Sequence, residues 1–264
     1  MMNRREFIEA GSLGLILANN LFAANEPQGI ETNKELCLGN KGTQSYKYEE
    51  MTAGEFKRAM DEVGLVYVPV GSLEFHGQHL PLGTDTIHAY EFCLRAAEMT
   101  AGVVVPCICW GTNGHVGWTG SLLVRESTFR MILRDVFELL CEQGARLIVA
   151  STGHWPAKQG VIIEKIAKQV MKKYAQTRIL VLDPFGCNPT DKEVDHAGKK
   201  ETSLMLALRP ELVYMEKLGE GDEAFKGICK NAVEGNVEYG KEYFQVSLEV
   251  YVDMVKKALS DLGA

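Results

Sequence analysis

Four short runs rich in aliphatic and β-branched residues recur between helix-length stretches, and this alternation limits the fold more than any other feature of the chain. The runs are Leu65-Val66-Tyr67-Val68-Pro69-Val70, residues 103–109, Arg146-Leu147-Ile148-Val149-Ala150, and Arg178 to Leu182. The first is apolar throughout, as a strand buried on both faces requires. Helical spacing places helices at about 52–63, 86–100, 127–143, 157–175, 200–208 and 242–262. Thr52 with Glu55 three residues later has the form of a capping box opening the first of them. Strand and helix in strict succession imply parallel β-α units, so the expected class is α/β, a three-layer α-β-α fold with a mainly parallel sheet. No second composition regime and no internal repeat interrupt residues 49–264, which read as one domain, with 25–48 as a linker or arm.

The composition, 46% hydrophobic and 24% charged over 264 residues, excludes disordered, collagen-like and polytopic membrane classes. A net charge of −7 without a Lys/Arg block argues against a nucleic-acid surface and leaves a small molecule as the expected partner. Residues 1–24 differ from the rest: Arg4-Arg5, then Phe7 and Ile8, run into a mostly apolar stretch from Ala10 to Ala18. They resemble a twin-arginine signal, and the apolar run is too short to span a bilayer of about 30 Å. An exported, periplasmic protein without stable membrane insertion is therefore expected, and Asn19-Asn20 leaves the cleavage point unassigned. Seven cysteines, an odd number, lack disulfide-framework spacing. Cys107 and Cys109 are expected to form a buried pair on one strand face.

Four loops carry the chemistry. After the first strand, Glu74-Phe75-His76-Gly77-Gln78-His79-Leu80-Pro81 can project Glu74 and His76 to one side, with Asp85 returning to them through Pro81 and Gly83. Glutamate, imidazole and aspartate together suit a divalent ion, although His and Asp in loops also serve as caps and turn residues. His79 reads as a residue that orients another ligand. After the third strand, Ser151-Thr152-Gly153-His154-Trp155-Pro156 brings His154 to the same sheet edge. In Asp195-His196-Ala197-Gly198-Lys199-Lys200-Glu201-Thr202-Ser203, Glu201 falls in a helix's first turn, where a carboxylate equally serves the helix dipole. The Gly-rich loop 111–122, with His115 and Trp118, suits close backbone approach and a substrate-facing wall, or a tight structural turn. Five of the six histidines lie in these loops; His88, on a predicted helix, reads as structural.

These segments resemble the creatininase (creatinine amidohydrolase) family, whose pattern is Glu-x-His-Gly-x-His-Leu-Pro with a following Asp, a Gly-His turn, and His-Ala-Gly-x-x-Glu-Thr-Ser. All three occur here in order across residues 50–215. The resemblance implies a creatininase-like sheet between helix layers, two divalent ions per chain (Zn, Mn or Fe), and homo-oligomers, often hexamers. It puts Glu74, His76, Asp85 and His154 on metal-ligand positions, with Asp85 bridging the ions. Glu201 matches the family's acidic position, as ligand or acid/base, and His196 its histidine, implied as the general acid. In creatininase a further glutamate stands two residues after the Gly-His turn, where this chain has Pro156. Either Glu201 closes the second site or one ion is held. Trp155 is implied as a pocket wall, and His115 and Trp118 as substrate contacts. The implied activity is hydrolysis of a small cyclic amide or lactam by metal-activated hydroxide. The alternatives are hydrolytic C–C opening of a cyclic keto-polyol or oxidised sugar, and a non-catalytic metal- or sugar-binding protein.

Overall fold

The structure, a computed structural model, describes residues 46–154, 157–189, 195–219 and 225–263. The leader, most of the arm, and Trp155 and Pro156 lie outside them.

Helix α1, Ala53–Glu62, opens on the expected capping box: Thr52 Oγ1 accepts from Glu55 N–H, and the Glu55 carboxylate accepts from Thr52 N–H. Strand β1, Leu65–Val70, follows and is buried along its whole length. Helix α2, Thr84–Thr100, begins two residues earlier than the spacing suggested, so Asp85 sits in a helical first turn and not in a returning loop. Strand β2 is shorter than expected, Val103–Val104 only. Pro106 lacks an N–H and cannot continue the ladder, yet the chain still follows β1, with Val105 N–H donating to Tyr67 O and Ile108 N–H to Pro69 O. On this irregular stretch Cys107 and Cys109 are half-buried, which corrects the expectation of a buried pair.

Helices α3, Glu126–Glu142, and α4, Ala157–Lys173, flank strand β3, Leu147–Thr152. Strand β4, Arg178–Leu182, leads to α5, Lys199–Leu208, and the final helix α6, Val237–Ser260. Helix α6 starts five residues ahead of its expected onset, capped by the Asn236 side chain accepting from Tyr239 N–H. Gly240 hides this first stretch because it looks like a helix breaker. It is a packing residue, since a Cβ there would overlap the Ser203 backbone of α5.

The strands are all parallel, in the order β2-β1-β3-β4. At the end of the arm, Lys47 adds a parallel bridge to Val104. Alternate residues of β1 feed two cores. Val66, Val68 and Val70 join Phe56, Phe129, Phe137 and Ile163 from α1, α3 and α4. Leu65 and Tyr67 join Phe92, Tyr251 and Val255 from α2 and α6. Each large apolar side chain fully buried this way contributes roughly 1.5–3 kcal/mol. The three-layer α-β-α expectation is thus met. Among the described residues no helix is long and apolar enough to cross a membrane.

Because β2 and β3 lie on opposite sides of β1, the connections diverge there, and the C-terminal ends of β1 and β3 form the switch point at which open parallel sheets take their ligands. Gly153 lets β3's exit run against the first turn of α2, since a Cβ would overlap Asp85 O.

Candidate metal centre

The loop after β1 supplies Glu74 and His76, the first turn of α2 supplies Asp85, the exit of β3 supplies His154, and the first turn of α5 supplies Glu201. All five side chains are buried. His76 Nδ1 lies 3.1 Å from Glu74 O, so the ring donates there and turns Nε2 toward the carboxylates. Nε2 stands 2.9 Å from Asp85 Oδ1 and 3.4 Å from Glu201 Oε2. His154 Nδ1 lies 2.7 Å from Asp85 Oδ2 and 3.1 Å from Glu74 Oε2. The two oxygens of Asp85 therefore face different imidazoles.

Three groupings among the described residues bring ligand atoms within 4.8 Å of one another: Glu74 with Asp85 and His154, His76 with Asp85 and Glu201, and Glu74 with His76 and His196. The first two share Asp85.

Three carboxylates gathered out of water need positive charge beside them. Burial opposes ionisation of Glu74, but the hydrogen bond and charge of His154 outweigh it and hold the carboxyl at about 2. Burial likewise disfavours the cationic rings, yet Asp85, with Glu201 at His76 and Glu74 at His154, lifts both imidazoles to about 10. Burial pushes Glu201 up to about 8 despite the nearby His76. Protons thus neutralise a cluster built from nitrogen and oxygen donors, the set that suits zinc or manganese. His154 Nε2 has no hydrogen-bond partner, and His76 Nε2 meets Asp85 and Glu201 as an ion-pair contact without hydrogen-bond alignment. Divalent cations fit these residues.

The remaining expected residues surround the cluster. His196 is pinned through Nε2, 2.8 Å from Phe75 O, and its ring lies between those of His76 and His115, with centroids 4.5 and 4.2 Å away. Burial and the neighbouring His76 lower it to about 4, so it is a neutral base in this arrangement. His115 reaches Glu74, with Nδ1 2.8 Å from Oε1 and its backbone N–H on the same oxygen. Trp118 packs on Phe75 at 5.0 Å and against Gly227. His79 stays out of the groupings and meets Thr202 Oγ1 at 2.9 Å, tying α5 to the β1–α2 loop. Trp155, the expected pocket wall, lies outside the described residues.

Some contributors carry no motif. Ser72 Oγ donates to Asp85 Oδ2 at 2.6 Å and lies 3.3 Å from His154 Nδ1, orienting both. Asp195 accepts from Lys200 N–H at 2.8 Å and Glu201 N–H at 3.4 Å, capping α5 where Gly198 has no side chain to do so. The grip of His115 on Glu74 is a tertiary contact that spacing cannot announce, although Gly114 beside it was a signal of close approach: a Cβ there would overlap Glu74 Oε1.

Comparison with known proteins agrees with this architecture. The model of the creatininase family, described as creatinine amidohydrolase, matches residues 49–254. Creatinine amidohydrolase of Pseudomonas putida is 28% identical over 177 residues, which cover 58% of this chain and 68% of that protein. A mycofactocin precursor peptide peptidase of Mycolicibacterium smegmatis is 30% identical over 169 residues, 61% of this chain and 65% of that one. A 3-dehydro-scyllo-inosose hydrolase of Thermotoga maritima is 27% identical over 184 residues, 64% and 58% of the two chains. The match thus spans about two thirds of the length of these curated relatives, and less of the last. In fold, a crystal structure of creatininase superposes with a TM-score of 0.76 at 22% identity, covering 82% of this chain and 99% of that one. Solved creatininases of similar fold include one described as the Mn form and a variant described as of the Zn-Zn type. With the family model spanning most of the sequence and the fold in agreement, the chain belongs to the creatininase (creatinine amidohydrolase) family of metal-dependent hydrolases.

Proposed function

We propose that the protein hydrolyses a small cyclic amide or lactam, using two divalent ions held by the overlapping triads Glu74–Asp85–His154 and His76–Asp85–Glu201. The observation that carries this reading is the shared Asp85, whose two oxygens face different imidazoles at 2.9 and 2.7 Å. The creatinine amidohydrolase relative and the Zn-Zn and Mn forms of solved creatininases support the same direction. When bound, such ions polarise a carbonyl and lower the pKa of water toward about 7.

The chain's own groups supply the rest. His196, held at Phe75 O, is the proton carrier for the leaving group. Its position between His76 and His115 restricts the ring to one plane. His115 and Trp118 line the substrate side. The twin-arginine-like leader supports a periplasmic enzyme, and the family resemblance supports a homo-oligomer.

A second reading keeps the site and changes the bond, with hydrolytic opening of a cyclic keto-polyol. The inosose hydrolase relative favours it. The test is elemental analysis of the purified protein and of Glu201→Gln, alongside an assay for the ring-opened product of cyclic amides, which carries a new amine and a new carboxylate on one molecule. Two ions falling to one, with that ring-opened product formed, is the expected result. Turnover of keto-polyols with no cyclic amide opened supports the second reading, and a wild-type protein binding no divalent ion overturns both.

A further inference from the structure

The loop 111–122 is fastened at its ends. Thr112 N–H donates to Gln159 Oε1 at 2.9 Å, Thr112 Oγ1 donates to Val124 O at 2.9 Å, and Leu122 N–H donates to Leu73 O at 2.8 Å. Ser121 Oγ accepts from Phe75 N–H at 3.0 Å. Its apex is different. Val116 there is 72% exposed, and Asn113, Gly114 and Gly117 all take left-handed φ values of 66°, 92° and 84°. Left-handed backbone of this kind is what glycine and asparagine adopt readily, and Val116 at its tip packs on little.

What the apex does grip is Glu74. His115 aims two donors, its backbone N–H and Nδ1, at Glu74 Oε1. Gly114 leaves no gap between the apex backbone and that carboxylate. With Oε1 occupied by the loop, the oxygen turned toward His154, at 3.1 Å from Nδ1, is Oε2. The same imidazole stacks on His196 at 4.2 Å and 24°, and meets the Trp118 ring edge-on at 5.3 Å. One side chain therefore touches a carboxylate of the cluster, the ring proposed to carry the proton, and an aromatic wall.

We infer that His115 is a positioning residue that holds Glu74 with Oε2 toward the ion, and thereby couples occupancy of the Glu74–Asp85–His154 site to the order of loop 111–122. This rests on the metal reading of that triad. Charge-assisted hydrogen bonds to a ligating carboxylate fix its rotamer before the ion arrives, and losing such support typically loosens a metal about 10–100-fold. Coupling runs both ways: whatever the loop contributes to ion affinity, the ion returns as loop order.

The test uses the full chain as wild type, His115→Ala and His115→Asn, the last keeping a side-chain donor near the position of Nδ1. Zn²⁺ affinity is measured by competition with a chromophoric chelator, and backbone amide exchange is followed across residues 111–122 with and without Zn²⁺. His115→Ala is expected to weaken one ion about 10–100-fold and leave the other unchanged, and to lose the Zn²⁺-induced slowing of exchange in the loop. His115→Asn is expected to recover most of both effects. Two ions bound by His115→Ala as tightly as by wild type, or equal weakening of both without rescue by Asn, would overturn the inference while leaving the two-ion reading intact. A wild-type protein that binds no Zn²⁺ would end both.

Discussion

His76 Nε2 stands 2.9 Å from Asp85 Oδ1, while the other oxygen of Asp85 is engaged 2.7 Å from His154 Nδ1. Asp85→Asn replaces one of those oxygens by an amide nitrogen with no lone pair for a cation. It is expected to remove both ions from the purified protein, whereas Glu201→Gln removes one. Elemental analysis of the two variants checks this. Equal metal content in both would contradict a shared ligand.

His196 touches the cluster by stacking and is held at Phe75 O, 2.8 Å from Nε2. His196→Ala is expected to keep both ions and lose turnover by about 10²–10⁴-fold, the range of a general acid–base group. Loss of metal in step with activity would make His196 a ligand instead, through its grouping with Glu74 and His76.

Without metal the cluster holds protons, and the sign of the pH dependence follows. Against the cost of burial, Asp85 and its neighbours raise His76 and His154 from 6.5 to about 10, so the stability they contribute is complete below about pH 6.5 and lost as pH rises toward 10. Burial raises Glu201 from 4.5 to about 8, and its contribution is lost in the same direction between those values. The metal-free protein is expected to melt at progressively lower temperature from pH 7 to pH 10, and the Zn²⁺-loaded protein to show a flatter profile. Calorimetry in buffers of different ionisation enthalpy should record proton release on Zn²⁺ uptake at pH 7. No buffer dependence would contradict the protonated cluster.

His88 is fully buried on α2, packs edge-on against Phe185 at 5.5 Å, and has no hydrogen-bond partner at either ring nitrogen. Burial lowers it to about 3, so it is neutral, with donor and acceptor both uncompensated. His88→Leu removes that penalty and is expected to stabilise the protein by about 1 kcal/mol or more, a rise in melting temperature of roughly 2–4 °C. A clear fall would mean that ordered water completes the imidazole's hydrogen bonds.

Much of this was readable in advance where the determinant is local. The unbroken apolar run of β1, the capping box at Thr52 and Glu55, and the Gly-His turn after β3 each depend on near neighbours in sequence. Element ends were less readable for nameable reasons. Pro106 stops β2 without stopping the chain from following β1, and Gly240 serves an α5–α6 crossing that no spacing reveals. The donor types were visible, but their arrangement about Asp85 was not, because it depends on which oxygen of Asp85 meets which ring. Likewise the sequence offers His115 as a substrate contact only, and its hold on Glu74 exists only once loop 111–122 folds over the β1 exit.

The five side chains that face one another at the sheet edge come from the exits of two strands and the first turns of two helices, running from Glu74 to Glu201 along the chain. An unfolded chain offers a cation little beyond Glu74 and His76 as near neighbours, a poor chelate. The full donor set exists only after β1 and β3 have paired and both α2 and α5 have docked. On the proposed metal reading, loading would therefore be a late event that reads out completed assembly, with an ion there a seal on the finished molecule and not a seed for its folding.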